Sequence, residues 1–246
     1  VQDRYAGDIG DYGKFGFLQA LERAGLSIGI NWYYTRPDKP NQKHEDGRYR
    51  IAQKYFECAP ELASALHEIS VREGTGRSVE ALEQAHLLKT ALYYREPVGL
   101  KDKRCEWHKE ALDKLQSAKT VFLDPDNGLL AKSVGRNSQK SVKYVFDDEI
   151  QDYLRKGQAV ILYHHRLHKK AELYFTEIAD RIGAFSNEFH LQIMSLTFPR
   201  CSVRDYFIIC PGGRYVDQIK EAMESMLNSA WGQKGIVTQA GLKQTR

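Results

Sequence analysis

Thr120-Val-Phe-Leu-Asp-Pro-Asp-Asn-Gly128 is the stretch on which the reading of this chain turns. Its first four residues are β-branched or apolar, the mark of a short strand buried on both faces, and its last five make a turn. On the amino-terminal side, Ala91-Leu-Tyr-Tyr-Arg-Glu96 reads as another strand, with a helix at 105–116 between the two. On the carboxyl side come a helix at 147–155, a strand at 159–163, a long helix at 167–182, strands at 191–197 and 206–210, and a helix at 215–230. This β, α, β alternation predicts an α/β fold with a mostly parallel sheet and helices on both faces. About six or seven strands are expected, the last antiparallel, because the 199–205 turn is too short for a crossover and joins its strands as a hairpin.

Before this region, Ile9, Tyr12, Phe15, Phe17, Leu18 and Leu21 approximate helical spacing and Gly25 closes the segment, which predicts a helix over 10–24. A strand at 28–34 follows and runs into the polar, Pro- and Gly-punctuated loop 36–47, long enough to be a functional loop or lid. Helical patterning at 48–58, 60–69 and 78–88, the last capped by Ser78, forms a helical insertion over about 48–88. The chain reads as a single α/β domain over 1–246, with a Gly/Gln/Lys-rich tail from about Gly232 expected to be loosely ordered.

Composition narrows the classes. The 246 residues are 42% apolar and 28% charged with 7 prolines, which excludes disorder, collagen and coiled coil. The longest apolar runs are strand-sized, so no membrane span is expected. The opening Val-Gln-Asp-Arg-Tyr lacks the features of a secretory signal, and the expected location is cytoplasmic. The cysteines Cys58, Cys105, Cys201 and Cys210 show no C-x-x-C spacing and read as reduced thiols. A formal net charge of +4 is compatible with a local basic face.

In an open α/β sheet, ligands collect beyond the carboxyl ends of the strands. Four clusters qualify: Asp124 to Gly128, Tyr163-His164-His165, the loop ending in Asp46-Gly47-Arg48, and Arg95-Glu96. Asp124, Asp126 and Asn127 place two carboxylates and an amide where the chain leaves a strand, able to accept from an amino group or to hold a divalent cation. His164 and His165 follow a strand, so one ring points into the cleft and its neighbour to the opposite face. His168, Lys169 and Lys170 add positive charge nearby. Gly7, Gly10, Gly13 and Gly16, interleaved with Asp8 and Asp11 after Asp3, serve either close helix packing or ligand contact.

At Tyr5-Ala-Gly-Asp-Ile-Gly-Asp-Tyr-Gly-Lys-Phe15 the chain resembles the amino-terminal signature H-A-G-N-x-A-D-x-x-K-H of the bacterial 23S ribosomal RNA adenine-N6 methyltransferases of the J type, with Ala6, Gly7, Asp11 and Lys14 identical. Trp32 through Gly47-Arg48-Tyr49 looks like that family's first strand and G-A-G-R-Y loop. Val121-Phe-Leu-Asp-Pro125 looks like the strand bearing D-P-P-Y, and 191–199 with 206–211 look like its last two strands. The resemblance implies a Rossmann-like, methyltransferase-type fold that binds S-adenosylmethionine. It assigns Lys14 and Gly47 to the cofactor and Asp124 to the target amine. The pattern departs at Asp126 and Asn127, which stand for the second proline and the tyrosine, and at Glu45 and Asp46, which stand for small residues before Gly47.

Three functions follow. A methyltransferase on RNA or DNA would hold S-adenosylmethionine with Lys14, Gly47 and Glu96, the last accepting from the ribose hydroxyls, while Asp124 with Asn127 orients the amine. That reading needs no metal. A metal-dependent nuclease would bind Mg or Mn at Asp124 and Asp126 and activate water with His164 or His165. A non-catalytic module of the same fold would bind a nucleotide or partner through the long loop after Tyr34.

Overall fold

The computed structural model describes residues 1–36, 50–72, 76–166, 170–185, 188–200 and 202–244. The first helix, α1 (Ile9–Arg23), starts where the Asp8 carboxylate accepts from the Gly10 and Asp11 amides at 2.7 and 2.9 Å, and Gly25 (φ +84°) turns the chain out of it. Strand β1 (Ile28–Asn31) follows. The expected insertion appears as a 3-10 turn at Gln53–Cys58, then α2 (Pro60–Ser70) and α3 (Val79–Gln84), whose Ser78 cap accepts from the Ala81 amide. Then come β2 (Leu92–Tyr94), α4 (Asp102–Lys114), β3 (Thr120–Leu123), β4 (Gly128–Leu129), β5 (Tyr144–Val145), α5 (Asp147–Arg155) and β6 (Ala159–His165). The chain continues with α6 (Ala171–Phe185), β7 (Leu191–Arg200), β8 (Ser202–Pro211), α7 (Val216–Leu227), α8 (Ala230–Gln233) and β9 (Thr238–Gln244).

Seven strands form one sheet in the order β2-β1-β3-β6-β8-β7-β9. The ladders β1–β2, β1–β3 and β3–β6 are parallel; β8 runs antiparallel to both β6 and β7, and β9 antiparallel to β7. Five of the seven strands therefore point one way, in a Rossmann-like α/β arrangement. The expected hairpin joins β7 to β8, pairing Arg200 with Ser202.

The pleat divides the core in two. Ile30, Phe122, Ile161 and Tyr206 pack toward α1, α2, α3 and α7, whereas Val121, Leu123, Leu162 and Phe207 pack toward α4, α5 and α6. A strand buried on both faces has no polar side to show, which is why 120–123 reads as an unbroken apolar run.

Two features differ from expectation. The tail beyond Gly232, expected to be loose, supplies edge strand β9 against β7. The β4–β5 pair forms a separate two-stranded sheet just after the Asp124 turn. Among the described residues, no helix is long and apolar enough to cross a membrane.

Candidate active site

From β1 the chain moves to β2 on one side and later to β3 on the other, so the sheet's topological switch point lies between β1 and β3. Ligands of open α/β sheets bind at such a point, beyond the carboxyl ends of the strands. A cavity of about 340 Å³ opens beside it, lined by Lys14 and Asp11 of α1, by the turn Asp124 to Asn127, and by Tyr163, His165 and Arg204 of β6 and β8.

Its centre is an ion triad. The Lys14 ammonium donates to Asp11 Oδ1 and to Asp124 Oδ2, both at 2.7 Å, with all three side chains almost wholly buried. It also stands 5.0 Å from the centre of the Trp32 ring. Burial disfavours the ammonium, yet Asp11 and Asp124 hold its pKa above the ordinary lysine value. Burial pushes the Asp124 carboxyl up, against the pull of Lys14. Asp11 Oδ2 meanwhile accepts from the Gly7 amide at 2.8 Å, so the triad is tied to the entry of α1.

A second chain of polar groups forms one wall. Arg204 Nε donates to the Tyr163 hydroxyl at 3.2 Å, and that hydroxyl lies 2.8 Å from His165 Nε2. Since the Tyr163 oxygen accepts from arginine, its own proton points to His165, whose Nε2 is thus the acceptor and whose Nδ1 carries the hydrogen. Burial and the Arg204 charge push His165 down to about 4, so the ring is neutral at ordinary pH. Arg204 also lies 3.8 Å from Asp8, whose carboxyl burial and Asp11 raise to about 6.

The parity expected at the two histidines holds: His165 lines the cavity, while His164 is buried on the opposite face between Tyr174 and Phe207. The Tyr174 hydroxyl is 2.6 Å from His164 Nδ1, and the imidazole lies against Gly128. Gly128 has φ +102°, and a Cβ there would meet the ring at 2.5 Å, so both conformation and space require glycine in the turn. His164, a candidate catalytic residue from sequence, is instead a support beneath the Asp124 turn.

Of the other candidates, Asp126 lines the cavity, accepts from Gln2 Nε2 at 3.0 Å and lies 3.8 Å from Lys143, and Asn127 lies beside it. Glu96 is exposed at the end of β2 and is not part of the cavity lining; its carbonyl accepts from Trp107. Arg95 pairs with Glu83 at 3.3 Å. Gly47, with Glu45, Asp46 and Arg48, and also His168 and Lys169, lie outside the described residues.

The glycine series divides. Gly10 lines the cavity, but a Cβ at Gly13 would lie 2.6 Å from Phe198 and one at Gly16 equally close to Trp231, so those two serve packing. Asp3 ties Tyr34 and the start of α3 together and stays out of the cavity.

Sequence reasoning missed Arg204 and gave Tyr163, named within its cluster, no role of its own. A period-2 reading of β6 puts Tyr163 beside His165, and the antiparallel β6–β8 register pairs His165 with Arg204.

As a cation site the cluster is already filled in an electrostatic sense. Lys14 supplies the positive charge between Asp11 and Asp124, and His165 Nε2 is engaged by Tyr163. Among the described residues no group of three or more His, Cys, Asp or Glu side chains converges as a metal ion would require. Compared with protein-family models and with curated proteins, the sequence matches none.

Proposed function

We propose that the protein is an S-adenosylmethionine-dependent methyltransferase acting on an amino group in nucleic acid. The observation that carries this reading is the placement of Asp124: a strand-end carboxylate at the switch point, fixed by a buried lysine and facing a ligand-sized cavity. The lining suits a ligand of mixed charge, with Asp8, Asp124 and Asp126 opposite Arg204 and Lys143, and with Gly10 adding no side chain. S-adenosylmethionine, which combines a carboxylate, an ammonium and a positive sulfur, fits that chemistry, and when bound supplies an electrophilic methyl group. Arg204 and Lys143 are the groups suited to its carboxylate.

The chain's own part is positioning. A carboxylate has about four lone-pair sites, and Lys14 uses one on Asp124, leaving acceptor capacity for an incoming N–H. Lys14 fixes the carboxylate's direction and keeps it charged. Burial raises the Asp124 carboxyl and so makes it a better acceptor of the proton that the amine gives up. Neutral His165, with hydrogen on Nδ1, is a donor in the same cavity, suited to an acceptor atom of the target ring.

Calorimetric titration with S-adenosylmethionine, and separately with Mg²⁺ or Mn²⁺, tests the proposal. Heat with the first supports transfer chemistry. Heat with metal and none with S-adenosylmethionine would sink it in favour of the nuclease.

A further inference from the structure

The formal net charge of +4 is not spread over the molecule. Residues 127–146 contain Lys132, Arg136, Lys140 and Lys143 and no acidic residue, so the remaining 32 basic and 32 acidic residues cancel. The segment is a loop closed at its base: the Asn127 amide donates to the Lys143 carbonyl at 3.0 Å, and β4 pairs Gly128 with Tyr144 and Leu129 with Val145. Both Asn127 and Lys143 line the cavity, so the loop rises directly from its rim.

Nearby carboxylates reach only part of it: Arg136 pairs with Asp148 and Lys143 lies 3.8 Å from Asp126, which leaves Lys132 and Lys140 as its unmatched cations among the described residues. Asp147 is held by Arg181 at 2.8 Å, Asp148 by Arg136 at 2.6 Å and Glu149 by Arg104 at 2.6 Å. Lys132 and Lys140 are exposed and form no ion pair among the described residues. On the same cavity the Tyr5 ring is 36% exposed, one of three large apolar side chains so placed among the described residues, with the Arg4 guanidinium 4.8 Å from its centre.

We infer that this loop docks the sugar–phosphate backbone of a single-stranded nucleic-acid segment, with Lys132 and Lys140 meeting phosphates while an unpaired base enters the cavity against Tyr5. The inference rests on the nucleic-acid half of the proposed function. Clustered cations beside an exposed aromatic ring are the combination that holds single strands: the charges follow the backbone and the ring stacks a base. A base that is to reach a cavity at the strand ends must be out of a duplex stack, which favours a single strand.

The test uses the full chain and a fluorescein-labelled, mixed-sequence single-stranded oligonucleotide, with anisotropy read over a range of salt. In the double variant Lys132→Gln/Lys140→Gln, the slope of log K against log[salt] becomes shallower by about 1.4, two phosphates at about 0.7 each. Its titration with S-adenosylmethionine is unchanged. Tyr5→Leu weakens oligonucleotide binding by about tenfold and leaves binding of inorganic polyphosphate unchanged. An unchanged slope in the double variant overturns the inference, as does polyphosphate binding that matches the oligonucleotide with Tyr5→Leu silent. A wild-type protein that binds S-adenosylmethionine but no oligonucleotide at low salt overturns the docking surface and leaves the cofactor reading intact. One that binds the oligonucleotide through these lysines, with no heat from S-adenosylmethionine, keeps the surface and removes the transferase.

Discussion

The two faces of the sheet each bury a charged cluster, and they are built for different ends. On the α1 face, Lys14 joins Asp11 and Asp124 at the wall of a cavity. On the other face, Arg104 of α4 makes a two-pronged pair with Glu149 of α5, at 2.6 and 2.9 Å. Glu149 also accepts from the Tyr33 hydroxyl and the Phe146 amide, while the Arg104 guanidinium lies between 4.3 and 5.3 Å from the centres of the Phe146, Trp107 and Tyr33 rings. That second cluster is closed, its carboxylate fully used, and it braces Tyr33, held at φ +43° where the chain leaves β1. Burial of an ion pair is thus no sign of function by itself; what separates the two is spare acceptor capacity facing open space.

The largest expected effects test that separation directly. Arg104→Met strands the buried Glu149 charge and is expected to lower stability by about 3–5 kcal/mol, measured by urea denaturation. The affinity of the folded fraction for S-adenosylmethionine stays unchanged. Lys14→Met is expected to cost a similar amount, because Asp11 and Asp124 then face each other unpaired, and also to abolish transfer. Loss of ligand binding in the arginine variant as well would erase the distinction between the clusters.

Asp124→Asn comes next. The amide keeps an acceptor oxygen and loses the charge, so methyl transfer is expected to fall by about 10²-fold while calorimetric binding of S-adenosylmethionine persists. A variant with full activity would reduce the strand-end carboxylate to a turn residue.

The paired histidines give a smaller effect, read against pH. Burial lowers both His164 and His165 from 6.5 to about 4, so each binds fewer protons folded than unfolded, and the stability each contributes above 6.5 is lost as pH falls toward 4. Asp8, raised from 3.8 to about 6, runs the other way, its contribution falling as pH rises through that window. Together these three groups contribute the dependence of one proton between about pH 4 and 6, and urea titrations of the wild type and of variants at each of the three positions, over a series of pH values, measure their share. His164→Leu and His165→Leu each remove one histidine's share, but only the second changes ligand affinity.

The smallest effect is expected at Asp126→Ala, which loses contacts to Gln2 and Lys143 at the cavity edge. Transfer rate should stay within a few-fold, since in the transfer reading this carboxylate only adds to the negative charge of the lining, whereas the metal reading makes it a ligand. A loss as large as that of Asp124→Asn, seen in the same assay, would revive that reading.

The sheet was legible because 120–123 and 159–163 are buried on both faces and show it as runs of β-branched and apolar residues, and because the 199–205 segment is too short for a crossover; the structure pairs most of it within the β7–β8 hairpin. The Lys14–Asp124 contact was expected only as a shared cleft, since no local pattern encodes a pairing 110 positions apart. Edge strand β9 escaped notice because Thr238-Gln-Ala-Gly-Leu-Lys-Gln244 is polar, as an edge tolerates, and carries a glycine at 241 where the Phe175 ring leaves no room for a Cβ. The glycines of α1 could not be apportioned between packing and ligand, because the rings they meet, Phe198 and Trp231, come from the far end of the chain.

The ring of His164 resting on Gly128 bears on how faithfully the sheet assembles. If β6 paired one residue out of step, every side chain would change faces, sending His164 toward the α1 layer and Tyr163 or His165 onto the glycine turn. The wrong pairing would leave the turn unsupported and break the Arg204–Tyr163 contact at once. A misthreaded strand is thereby rejected at both layers during folding, so a chain that completes its sheet has also set its cavity.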